Sequence, residues 1–305
     1  MTRRLGREIQ PLADRIMNLL LQLIQTAGKQ SPVIEDAFLA IGALSAALEA
    51  DFQKYLPAFL PFLSNALGVR EEYQLCSIAV GLIGDVCRAL GEASAAYAQP
   101  FMEGLLSALQ SPVLHRSVKP PILSCFGDLA LAIGPSFEPF LDTTMKVLQQ
   151  AGLMRADPVQ FSSFGHSGLR GQTADQRPVL QSNYDLVDYV NTLREGILEA
   201  YTGIVGGLKT GGKADVLLPY IADIFTFLHL ALTDQDRTES ILRSAIGLLG
   251  DLAEAFPNGQ LKEPLSSPWV GELLRAGRTK MGGAETKKVA KWAREVSVPL
   301  PWSYV

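Results

Sequence analysis

One short phrase returns along the chain at a nearly fixed interval. It reads Gly-Leu-Ile-Gly-Asp at Gly81–Asp85, Ser-Cys-Phe-Gly-Asp at Ser124–Asp128 and Gly-Leu-Leu-Gly-Asp at Gly247–Asp251. A looser copy covers Ala40–Leu44, and another, Tyr201–Val205, lies between the second and third strong copies. Gly42, Gly84 and Gly127 fall about 40 residues apart, the period of arrays built from helix pairs. One such unit cannot bury its apolar face alone, so neighbours must stack into a continuous core. The chain therefore reads as an all-α protein, an α-solenoid that offers a long curved surface rather than a catalytic pocket.

The first helix of each expected pair carries an apolar stripe at helical spacing. One stripe is Leu75, Ile78, Leu82, Val86 and Leu90; others run through Ile122, Phe126, Leu129 and Ile133, and through Ile241, Ala245, Leu248 and Leu252. The second helices are expected at Tyr55–Leu67, Pro100–Leu109, Pro139–Gln150, Pro219–Leu232 and Pro264–Ala276, several with proline near the start, where its missing N–H costs little. The total is about six antiparallel helix pairs forming one solenoid over 1–305. Gln10–Gln25 reads as the second helix of a pair whose first helix is missing, so the chain is expected to be part of a longer protein. Gly152–Asn183, rich in Gly, Ser, Gln and Pro and without periodicity, reads as a flexible insertion.

A glycine in mid-helix costs up to about 1 kcal/mol relative to alanine. Repeating that cost at one place points to close helix crossings. The aspartates that follow, Asp85, Asp128 and Asp251, are expected to form a ladder between stacked units by bonding the neighbour's backbone or a basic side chain.

Composition removes several function classes. Apolar residues make up 48% of the chain, yet no uninterrupted apolar run approaches the ~18 residues of a membrane span, so no membrane insertion is expected. Cys76, Cys87 and Cys125 sit on apolar faces as free thiols, which suits a reducing compartment. A net charge of −4 argues against duplex nucleic acid and leaves room for a basic protein partner. The histidines His115, His166 and His229 have no partners at metal-ligand spacing, so no metal site is expected. Gly207–Ala214 nearly matches a phosphate loop, but Ala214 stands where Ser or Thr is required and a helix precedes it. Asp185 and Asp188 lie near an expected helix start, where the dipole explains them without catalysis. No enzyme, metal or cofactor is expected.

Longer stretches carry a resemblance. His115–Gly134, Ala79–Leu90, Tyr184–Glu195 and Leu198–Val205 closely resemble the C-terminal HEAT repeats of the importin-β (karyopherin-β) family of nuclear import receptors, and the similarity runs from about Leu19 to Glu295. The resemblance implies a receptor found in cytoplasm and nucleus and at the nuclear pore, acting as a monomer. It implies a face of second helices that wraps the basic N-terminal segment of importin-α. In that role Trp292 would stack on a partner arginine, with Asp142, Asp185, Asp188 and Glu199 pairing basic side chains. Trp292 equally fits packing of the last helix, and each acid equally fits a solvated surface. Phe-Gly nucleoporins are a further implied partner, at a groove holding Leu20 and Phe101, which also fit ordinary core stripes. The repeats that make the family's main contact with the GTPase Ran have no counterpart here, so Ran is expected as a partner of the intact receptor. The insertion Gly152–Asn183 and the tail Val298–Tyr304 depart from the family pattern. Another helical-repeat scaffold, such as a phosphatase or coat-complex subunit, would share the repeat physics but not the matched stretches.

Overall fold

The computed structural model describes residues 8–27, 32–69, 72–155, 179–279 and 283–297. Most of the expected insertion, with His166, and the tail after residue 297 lie outside the described residues. Thirteen α-helices follow in order among those described. They are α1 (Ala13–Thr26), α2 (Pro32–Leu48), α3 (Leu56–Gly68), α4 (Tyr73–Leu90), α5 (Ala98–Leu109), α6 (Lys119–Ile133), α7 (Glu138–Gly152), α8 (Val179–Thr210), α9 (Ile221–Thr233), α10 (Glu239–Ala255), α11 (Lys262–Leu265), α12 (Pro268–Arg278) and α13 (Ala284–Ser297). No strand occurs among the described residues.

The helices form two layers. The first helices α2, α4, α6, α8, α10 and α13 pack in succession, and the second helices α3, α5, α7, α9 and α12 line the other side. Apolar side chains at helical spacing fill the space between, including the fully buried Phe38, Phe59, Phe126 and Tyr201. Phe38 meets Phe59 edge-on at 5.2 Å between centroids, a favoured aromatic geometry. Two stretches, Tyr73–Leu109 and Ala214–Thr233, are long and apolar enough to cross a membrane by composition. Each is interrupted by 3-10 geometry, and Leu82, Ile83, Ile224 and Leu228 within them belong to this core.

A regular feature invisible in the apolar periodicity joins the layers. Short 3-10 segments, Glu49–Tyr55, Gly91–Tyr97, Gly134–Phe137 and Ala214–Tyr220, link first to second helices, and each ends on an aromatic ring. Three of them open on a residue with positive φ: Gly91 at 53°, Gly134 at 54° and, at the same repeat position, Glu49 at 51°. Glycine enters this region without penalty; glutamate does not.

The joints between first helices confirm the close crossings. A methyl group on Gly42 would lie 3.0 Å from Asp85 Oδ2, and one on Gly84 would lie 2.5 Å from Asp128 Oδ2. Arg88 ties the second of these joints, at 2.7 Å from both Asp85 and Asp128. The expected ladder thus exists for Asp128, which pairs with Arg88 of the neighbouring helix, whereas Asp85 pairs with Arg88 within its own helix. Asp251 has no ion-pair partner there, and burial raises its pKa, with Lys209 opposing and Glu254 adding. Between α6 and α8 backbone meets backbone: a methyl on Gly127 would lie 2.6 Å from the Glu199 carbonyl oxygen and 2.8 Å from Ala200 Cα. The α8–α10 joint buries Arg194, 2% exposed, which pairs with Asp234 at 2.7 Å.

Three boundaries differ from expectation. Val179–Asn183, read as insertion, is already part of α8. The expected helix Pro264–Ala276 is split, because Pro268 lacks an N–H and holds Ser267 extended at φ −61°, ψ 136°. Pro219 lies inside the 3-10 link, and α9 begins only at Ile221.

Candidate functional site

α8 is a helix whose buried stripe is fixed by Leu186, Val190, Leu193, Ile197, Tyr201 and Ile204. The opposite face must therefore point to solvent, and it carries Asp185, Asp188, Thr192 and Glu199 as exposed residues, with Glu195 half-buried between them. Their steps of three and four residues make one stripe. Three acids singled out in the sequence thus share one face with Glu195, which was not singled out. Glu199 accepts a hydrogen bond from Ser124 Oγ at 2.5 Å, and Glu195 accepts one from Thr238 Oγ1 at 3.3 Å.

The stripe runs into a trough of about 730 Å³ that crosses the first-helix layer from α4 to α13. Its floor is Gly127, Gly203, Gly206 and Gly247; Asp128, Glu199 and Asp251 stand in its walls beside Arg88 and Arg243. Val289 closes one end, three residues before Trp292. Its walls carry three carboxylates and two guanidinium groups, and Arg88 pairs with Asp128 at 2.7 Å.

Trp292 is half-buried. Its six-membered ring lies so close over Gly250 that an added methyl group would fall within the ring's van der Waals envelope. Its Nε1–H donates to Glu254 Oε1 at 3.2 Å, while Glu254 Oε2 accepts from Lys209 Nζ at 2.5 Å. The Lys209 hydrogen bond holds the Glu254 carboxyl below its ordinary pKa. Three first helices, α8, α10 and α13, are bound through this chain, and the indole plane is fixed by it.

Asp142 stands apart. It lies on α7, a second helix, paired with Lys146 at 2.7 Å and accepting from Tyr220 Oη at 3.4 Å. The hydrogen bond from Lys146 is the main reason its pKa is lowered. The expectation placed all the acids on the face of the second helices. Asp185, Asp188 and Glu199 instead lie on a first helix, because α8 is the first helix of its pair.

Leu20 on α1 is half-buried and packs against the core. Phe101 is not at the surface: it is 1% exposed, in the buried stripe Ala98, Phe101, Met102, Leu105 and Ala108 of α5, with Tyr97 at 6.3 Å. The core uses the whole ring, so none of it is left to line a groove. The sequence reading missed a different aromatic shelf on the second-helix layer. There the half-buried Trp269 stacks on exposed His229 at 5.1 Å and meets Phe225 edge-on at 6.0 Å. Only the pairing of α9 with α12 brings these rings together. Burial pushes the Cys87 thiol up to about 12 and raises Cys125 as well.

Comparison with known proteins agrees with this architecture. The profile described as Importin subunit beta-1-like, TPR repeats, matches residues 1–166 and 169–278. Importin subunit beta-1 of Schizosaccharomyces pombe is 47% identical over 293 residues, covering 96% of this chain and 31% of the relative. A crystal structure of importin beta in an ammonium sulfate condition superposes with a TM-score of 0.83 at 44% identity, covering 97% of this chain and 32% of that one. A Kap95:Nup1 complex superposes with a TM-score of 0.79 at 32% identity, again over 97% of this chain and 32% of the other. The chain thus spans about a third of the length of the relatives it matches. It belongs to the importin subunit beta-1 family.

Proposed function

We propose that this chain is a single-solenoid section of a nuclear import receptor, working in cytoplasm and nucleus and at the nuclear pore, and that it binds the basic N-terminal segment of importin-α. One observation carries the reading: the exposed acids of α8 form a continuous stripe, Asp185, Asp188 and Glu199, on the first-helix layer that also presents Trp292. A basic segment is drawn by that field, and a few desolvated contacts hold it. Trp292 offers a ring already fixed in plane for an arginine or lysine, an interaction of about 0.5–2 kcal/mol.

The test is a titration of that basic segment at rising salt. The triple variant Asp185→Asn, Asp188→Asn, Glu199→Gln is expected to flatten the salt dependence, since exposed charges are screened beyond about 8 Å at physiological ionic strength. Trp292→Ala is expected to weaken binding with the salt slope kept, measured beside a melting curve because the ring also binds α13 to α10. Salt-independent binding, or identical behaviour of the two variants, would overturn the assignment.

A second partner is favoured by the relative solved with Nup1. Phe-Gly nucleoporin segments need only a shallow apolar slot. Leu20 and the Trp269 shelf present accessible apolar surface on the second-helix side, whereas Phe101 would have to leave the core. Trp269→Ala is expected to weaken Phe-Gly peptide binding more than Phe101→Leu does.

A further inference from the structure

We propose that the cleft between α12 and α13 is a docking site for a short acidic peptide segment, separate from the trough of the first-helix layer. Arg278 at the end of α12 faces Lys287, Lys291, Arg294 and Glu295 of α13 across a space of about 640 Å³, and all five are exposed. Four cations against one carboxylate reverse the sign of a chain whose net charge is −4.

Several cations elsewhere in the fold have a carboxylate close by. Lys54 meets Asp14, Lys146 meets Asp142, Lys209 meets Glu254 and Lys213 meets Glu138. In the cleft, the one ion pair is Lys291 with Glu295 at 3.9 Å; Arg278, Lys287 and Arg294 have none among the described residues. Helix stability does not account for the cluster. Arg278 and Arg294 lie in last turns, where a cation complements the helix dipole, but Lys287 lies at the start of α13, where a cation is unfavourable.

The spacing selects the occupant. Lys287, Lys291 and Arg294 share one stripe of α13, about 6 and 10 Å apart along the axis at 1.5 Å per residue. Carboxylates at alternate positions of an extended peptide, about 6.6 Å apart, or four residues apart on a helix, match the step of about 6 Å between Lys287 and Lys291. The two arginines provide forked donors for carboxylates. A duplex or an anionic bilayer presents a charged surface wider than the cleft, and the chain around the cleft carries a net charge of −4 that repels it. A short acidic segment needs only the local match. A basic partner is excluded here for the same reason, so this proposal does not depend on the importin-α reading.

The experiment is fluorescence anisotropy of a short labelled alternating Glu–Ala peptide with the whole chain at low and physiological salt. Lys287→Glu with Lys291→Glu is expected to weaken binding roughly tenfold or more, as like charges oppose in the cleft. Lys54→Glu with Lys146→Glu changes the net charge equally and is expected to leave binding within about twofold, as long-range charge alone is screened. Melting curves of both variants establish that they fold; should the first pair unfold, Lys287→Gln with Lys291→Gln takes its place with a smaller loss expected. No binding by the unaltered chain at low salt, equal loss in the control pair, or tighter binding of a duplex oligonucleotide or phosphatidylserine vesicles than of the peptide would each overturn the proposal.

Discussion

The joint between α4 and α6 and the joint between α6 and α8 use the same repeat glycine in opposite ways. At the first, Gly84 makes room for the tip of Asp128, and Arg88 ties that carboxylate down from above. At the second, Gly127 makes room for the backbone of α8 itself. A third variant follows at α10–α13, where Gly250 receives the ring of Trp292. The notch is constant and its guest changes. A carboxylate on a rotatable side chain can swing away; a helix backbone cannot move without carrying its whole repeat. The comparison implies that one joint is deformable and its neighbour is stiff.

Gly127→Ala should break the stiff joint with the largest effect. The new methyl group meets main-chain atoms, an overpacking cost of about 1–3 kcal/mol that the better helix propensity of alanine offsets only in part, since it is worth up to about 1 kcal/mol. Thermal melting reads the loss. Glu49→Gly should act in the other direction, raising stability by about 1 kcal/mol, because it relieves a non-glycine residue at positive φ where two sister repeats already carry glycine. An unchanged melting temperature would mean that the link tolerates the strain.

Gly84→Ala sharpens the contrast. The methyl group displaces only the Asp128 carboxylate, and the propensity gain runs against that loss, so the net change should stay within about 1 kcal/mol. If it costs as much as Gly127→Ala, the two joints are alike and the comparison fails. The smallest effect is expected at Asp251, the ladder aspartate without a basic partner. Its folded-state pKa is raised, mainly by burial, so the folded chain favours the protonated form. The associated stability is fully present below the ordinary carboxylate range, near pH 4, and is lost as pH rises through the raised value. Asp251→Asn should therefore raise stability slightly at pH 7, by less than about 1 kcal/mol as read from thermal melting, with the gain vanishing below pH 4. A loss at pH 7 would show that Asp251 has a partner like those of Asp85 and Asp128.

Much of the fold was legible because the signals are local. A glycine in mid-helix is costly, so its return at Gly42, Gly84 and Gly127 marked a crossing wherever it stood. Apolar stripes set which face of each helix turns inward, and by the same rule which face of α8 turns its acids outward. The candidate site was legible only in pieces. Asp185, Asp188 and Glu199 could be named from the chain, but the stripe's junction with Asp128 and Asp251 in one trough could not, because those residues come from three different helices. Phe101 carried the same pattern whether it lined a core or a groove, and packing against Tyr97 resolved it.

The sequence by itself determined the helix pairs, their period of about 40 residues, the glycine notches and the free buried thiols, since each follows from spacing or from the chemistry of single residues. Tertiary structure alone decided what fills each notch: a carboxylate at Gly84, a backbone at Gly127, an indole at Gly250. It also decided that cations of α12 and α13 meet across one cleft. Those outcomes depend on the rotation and offset of one repeat upon the next. That geometry is the balance of many contacts between residues distant in the chain, and no local pattern records it.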